Sequence, residues 1–150
     1  MKTPASRIIL PYLLILWLPA CSQPLPEEKQ LALTLERMEQ AADNKQLTEL
    51  MAYFHASFLG RKNMRKQELQ SRVYFHFRTN PKVRVYLSNI VIKVEGADAE
   101  VSCHLLVTGS QQQIPDRGRL YRISSSWKKF ADKWLVVAAD WEDQLQELVN

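Results

Sequence analysis

Cysteine, glycine and histidine are scarce in this 150-residue chain, with two, four and three copies, and each scarcity removes a class of chemistry. The glycines Gly60, Gly96, Gly109 and Gly118 stand far apart, so there is no glycine-rich loop to cradle a phosphate and no serine elbow to present a nucleophile. None of His55, His76 and His104 has a second ligand at short helical or hairpin spacing, which argues against zinc. Cys103 and His104 are adjacent on an alternating segment, and neighbours on a strand point to opposite faces, so they do not pair as nucleophile and base. No metal and no cofactor is expected. Internal repeats are absent, and acidic residues nearly vanish between positions 61 and 84. There Arg61, Lys62, Arg65, Lys66, Arg72, Arg78, Lys82 and Arg84 face Glu68 alone.

What is present begins with an export pattern over residues 1–20: basic Lys2 and Arg7, an apolar stretch from Ile8 to Leu18, and small Ala20. The stretch is broken by Pro11 and falls short of the roughly 20 residues that cross a hydrocarbon core, so cleavage is expected. Leu18-Pro19-Ala20-Cys21 resembles the bacterial lipoprotein signal, with Pro19 departing from the small residue usual there. The resemblance implies a diacylglycerol thioether on Cys21 and an acyl chain on the new amino terminus. One acyl chain alone binds marginally, at about 0.8 kcal/mol per buried methylene, so several chains make the anchor stable. Ser22 after the cysteine, rather than Asp, implies by the same resemblance an outer-membrane destination facing the periplasm. Residues 21–26 form the tether; Ser22 to Pro26 reach about 15 Å at roughly 3.1 Å per residue, which keeps the domain close to lipid.

Without residues 1–20 the chain keeps 18 basic against 16 acidic residues. A whole that reads as weakly cationic becomes nearly neutral with one concentrated basic segment. The remaining length suits one domain, residues 27–150, with a single core. With Cys21 lipidated, Cys103 has no intrachain partner and is expected as a buried, inert thiol.

Pro26-Glu27-Glu28 suits a helix start, and Leu31, Leu35, Met38 and Ala42 repeat at helical spacing up to Asp43-Asn44. A second helix from Gln46 is predicted to carry Leu47, Leu50, Met51, Phe54 and Phe58 on one face and to end at Gly60. A third, capped by Asn63, turns Leu69, Val73 and Phe77 inward and stops at Asn80-Pro81. From Lys82 the period becomes two: Val83, Val85 and Leu87 share a face, and Ile90, Ile92 and Val94 return to it through a bulge near Ser88-Asn89. A turn over residues 95–98, an alternating strand from Ala99 to Val107, a polar loop from Gly109 to Gly118, strands over 119–130 and 134–141, and a short helix over 142–149 complete the reading.

Helices first and antiparallel strands afterwards make an α+β domain, with three N-terminal helices packed on a curved, mainly antiparallel four-stranded sheet. With the segments Ile90 to Val101 and Trp127 to Trp141, that order resembles the nuclear transport factor 2-like, or cystatin-like, superfamily. The resemblance implies a cone-shaped scaffold that hosts many functions, so the fold alone licenses none. It also supplies a test, because isomerase-like members place acidic groups in the cone. This chain offers few: Glu95 at a turn, Glu100 near a strand start and Asp140 near a strand end.

Two readings follow. In the first, the protein is a non-catalytic binding or assembly module anchored in the cell envelope. Its basic face of Arg61, Lys62, Arg65, Lys66 and Arg72 engages an acidic surface or an envelope protein, and a homodimer is compatible with this reading. In the second, it is an apolar small-molecule carrier or isomerase-like enzyme, with Tyr53, Tyr86, His104 and Asp140 facing the cone. A cone plugged by Trp and Phe favours the first reading, and an open one the second. Nucleic acid is not an expected partner, because the export signal carries the domain out of the cytoplasm.

Overall fold

The computed structural model describes residues 24–110 and 117–144; Cys21 and most of the helix expected over 142–149 lie outside them. Helix α1 (Glu27–Asp43) is followed by α2 (Leu47–Ala52), β1 (Phe54–Gly60), a 3-10 turn (Arg61–Asn63), β2 (Met64–Arg65), α3 (Lys66–Thr79), β3 (Lys82–Glu95), β4 (Asp98–Ser110), β5 (Arg117–Phe130) and β6 (Lys133–Asp143). The strands form one sheet in the order β2-β1-β6-β5-β4-β3. The α+β architecture and the three helices agree with the sequence; the sheet has six strands, not four.

Of the two additional strands, β1 comes from the segment predicted to extend α2 and β2 from the first residues of the predicted third helix. Phe54 and Phe58 lie four residues apart, a spacing that keeps two side chains on one face in a helix and in a strand alike. Their rings meet edge to face at 5.1 Å. The aromatic segment pairs with β6 in parallel, through Phe54 with Val136 and Leu59 with Ala138, so tertiary pairing overrides local helical spacing. The helix after it starts at Lys66, where Glu68 accepts the Arg65 N–H at 3.1 Å, and not at Asn63.

Elsewhere the alternation holds. The β3–β4 register shifts between Ser88 and Val91, with Asn89 in the left-handed region at φ 51°; this is the expected bulge. It returns Ile92 and Val94 to the inner face but leaves Ile90 43% exposed. Leu31, Leu35, Phe58, Val101, Trp127, Trp134 and Val136 form the main core, and Phe77 packs with Ala42 and Val83 in a second cluster. Cys103 is buried, which pushes its thiol pKa up.

Helix α1 is fastened at both ends. At its start Glu27 accepts from Lys129 Nζ at 2.6 Å and from Trp134 Nε1 at 3.1 Å. At its end Asp43 accepts the Val85 N–H at 2.7 Å and Arg84 Nη1 at 3.1 Å. One turn earlier Glu39 receives the Leu87 N–H. Residues four apart on a helix advance about 6 Å, and residues two apart on a strand about 6.6 Å, so these carboxylates match successive outward N–H groups of β3. Because β3 is an edge strand, α1 covers backbone that would otherwise template another chain.

The turn after α1 is a Schellman motif. Gln46 N–H bonds Ala41 O at 2.8 Å and Lys45 N–H bonds Ala42 O at 3.0 Å, with Lys45 at φ 56°. The Lys45 ammonium reaches Asn80 O at 3.1 Å and Pro81 O at 3.3 Å, joining this turn to the end of α3. Asn80 in turn packs on Gly109, where an added Cβ would sit 2.4 Å from the Asn80 Oδ1.

Candidate functional site

The register sorts the side chains of the sheet onto two faces. The rows Ala99–Trp127–Val136 and Val101–Ser125–Ala139 point inward, toward the helices. Trp127, Phe58, Trp134 and Val136 are each no more than 3% exposed there, so aromatic and aliphatic side chains fill this part of the cone. The one buried polar group among them is satisfied: Trp127 Nε1 donates to Ser125 Oγ at 2.9 Å, and Ser125 Oγ donates to Val101 O at 3.2 Å.

The rows Glu100–Ser126–Ala138, Ser102–Ser124–Asp140 and His104–Arg122–Glu142 point outward. Three of the residues considered for a cavity therefore lie away from the helix-covered interior. Tyr86 pairs with Leu106 on the outer face and is 52% exposed. His104 faces Asn89 Nδ2 at 3.0 Å, and the Asp140 side chain is 67% exposed. Tyr53 caps the end of α2 and its carbonyl accepts the Val136 N–H at 2.9 Å. The four are not gathered around one cavity.

A shallow open depression of about 430 Å³ lies on this outer face, bordered by Arg61, Lys62, Glu100, Ser124, Ser126 and Asp140. It forms because the 3-10 turn folds beside the end of β6. Lys62 and Asn63 adopt left-handed conformations there, at φ 57° and 59°. The Arg61 guanidinium donates to Trp141 O and its Nε lies 3.8 Å from Asp140 Oδ1. Both carboxylates and both cations are open to water, an arrangement that can hold a polar partner but concentrates no single charge.

The basic segment divides by what each cation does. Arg61 is engaged by β6 as above, Lys66 Nζ donates to Phe54 O at 2.6 Å, and Arg84 pairs with Asp43. Arg65 ends β2 just before α3, and its backbone pairs with Leu59 of β1. Lys62, Arg72 and Lys82 have no side-chain partner among the described residues. Sequence reasoning overlooked what accompanies Arg72 on α3, where Tyr74 and Phe75 are 50% and 69% exposed. The signal was available: if Leu69, Val73 and Phe77 face inward at about 100° per residue, Phe75 falls on the opposite side.

The three histidines serve separate local contacts. The His55 ring stacks on Phe130 at 4.4 Å, His104 meets Asn89, and burial lowers the pKa of His76 beside Asn80. Among the described residues no group of His, Cys, Asp and Glu is placed to hold a metal ion. No helix among them is long and apolar enough to cross a membrane.

No family model matches the sequence, and no curated protein does. Solved structures match the fold. An NTF2-like protein from Cytophaga hutchinsonii superposes with a TM-score of 0.63 at 16% identity, over 79% of this chain and 99% of its own. A provisionally assigned scytalone dehydratase from Novosphingobium aromaticivorans gives 0.69 at 16%, over 79% and 84%. Bd1075 from Bdellovibrio bacteriovorus gives 0.68 at 13%; the match covers 77% of this chain but 41% of that one. At these identities the likeness defines an NTF2-like, cystatin-like α+β fold, in agreement with the sequence, and assigns no activity.

Proposed function

We propose that the protein is a non-catalytic binding or assembly module of the bacterial cell envelope, held at the outer membrane by lipid on Cys21 and facing the periplasm. The observation that carries the non-catalytic part is the filled cone: Trp127, Trp134 and Phe58 occupy space that a substrate would need, while Tyr86, His104 and Asp140 stand on the outer face. The export pattern and Cys21 support the envelope setting. Binding then falls to exposed surface, and the outer face of the sheet offers polar groups around the 3-10 turn and, separately on β3 and β4, exposed Tyr86 and Leu106.

Photocrosslinkers at Tyr86, Leu106 and Lys62, incorporated in cells, test this reading together with mass spectrometry of the purified protein. The expected result is a lipid-modified Cys21 peptide and a reproducible envelope-protein adduct from the outer face. An unmodified Cys21 removes the anchor. Stoichiometric recovery of an apolar small molecule, with no protein adduct, replaces the module with the carrier alternative.

A further inference from the structure

We propose that the outward face of α3 docks on an anionic lipid surface. At about 100° per residue, the Leu69, Val73 and Phe77 stripe that packs on the two core clusters puts Phe75 near the middle of the opposite side. Phe75 is 69% exposed, the most exposed large apolar residue among those described, and Tyr74 beside it is 50% exposed. Arg72 and Arg78, three residues to either side, flank the phenyl ring and both are exposed. Arg78 Nη1 donates to the Tyr74 hydroxyl at 3.3 Å, which keeps guanidinium and phenol together. Lys82 follows just past the helix. Glu68, the sole acid of the segment, is occupied at the first turn by the Arg65 N–H.

Nothing in the core requires an aromatic residue at the apex of a solvated helix face, and an exposed Phe costs solubility. Aromatic side chains ringed by arginine on the outer side of an amphipathic helix match the interface of a bilayer, where rings enter the headgroup boundary and cations meet phosphates. The shape selects lipid over protein. A standard protein interface takes roughly 800 Å² per partner, whereas a fluid bilayer surface can close around a few exposed side chains. Such docking rests on the membrane setting proposed above, and its test is made without the Cys21 lipid so that the two can fail separately.

The full chain carrying Cys21→Ser and Ser71→Cys is labelled at position 71, on the exposed side of α3, with an environment-sensitive fluorophore; Cys103 is buried. A matched chain carries the label at Asp132→Cys, on the turn between β5 and β6. Each is mixed with phosphatidylethanolamine vesicles containing phosphatidylglycerol and a quencher attached to the lipid. Quenching is expected at 71 and not at 132. Arg72→Glu with Arg78→Glu should raise the lipid concentration needed at 71 by at least about tenfold, Phe75→Ala should weaken quenching there, and circular dichroism should stay unchanged because all three positions are exposed. A probe at 71 that stays in water, or equal quenching on phosphatidylcholine vesicles, overturns the proposal. Quenching that survives both charge reversals does so too, as does a photocrosslinker at 75 that captures a protein in cells and never lipid.

Discussion

Ser125 shows how much one small side chain can decide. It is 7% exposed on a face otherwise filled by apolar groups, and its hydroxyl accepts from Trp127 while donating to Val101 O. Replacing it by Ala leaves the indole N–H and a backbone carbonyl in the core without that partner, and an unsatisfied buried group costs about 1–3 kcal/mol. Ser125→Ala should therefore lower the unfolding free energy by that amount, read as a lower denaturant midpoint at an unchanged slope. Lys45 is a second case, since it holds a left-handed position that usually falls to glycine. Its ammonium on Asn80 O and Pro81 O accounts for the residue chosen. Neither role was legible in the sequence, where Ser125 is one of three consecutive serines and Lys45 one of many cations.

Among the elements, β3 to β6 and the bulge at Asn89 could be read directly, because a half-buried strand alternates and a slip of one residue would expose its whole apolar set. β1 could not. The Phe54 and Phe58 spacing satisfies both periods, and the parallel partner that settles the matter, β6, lies about 80 residues further on. The number and order of strands follow from that long-range pairing, which is why four were counted where six exist. Helix α1 has a function beyond core packing, since Asp43 and Glu39 occupy outward N–H groups of the edge strand. Asp43→Ala removes the acceptor of the Val85 N–H together with the Arg84 pair. It should cost about 1–3 kcal/mol and should also promote self-association through the uncovered edge, read by sedimentation velocity beside thermal unfolding.

For the whole molecule, the site was less legible than the fold. Composition and motif spacing argued against metal and nucleophile chemistry, but they could not place the surface groups. The position of Tyr86, His104 and Asp140 on the outer face, however, depends on register across four strands. The basic segment looked uniform in sequence, yet in the fold Arg61, Lys66 and Arg84 hold the chain together while Arg72 and Lys82 face solvent. Stability toward acid is also set across distance. The hydrogen bond from Lys129 holds the Glu27 carboxyl below its ordinary 4.5; burial opposes it, and the hydrogen bond from Trp134 and the Lys129 charge add smaller lowering effects. A depressed carboxylate contributes stability above its unfolded value that is lost as pH falls through the folded one. Wild type should thus exceed Glu27→Gln in unfolding midpoint at neutral pH, and the difference should shrink as pH drops below about 4.5.

That same contact governs how the domain bears tension. A pull on the chain ahead of Pro26 arrives first at Glu27, where the carboxylate grips the β5–β6 hairpin through Lys129 and Trp134. A pull there loads this side-chain clamp between α1 and the hairpin before the rest of the helix. A domain tethered from that end can be tugged by a moving surface while the 17 residues of α1 keep their grip on the edge strand.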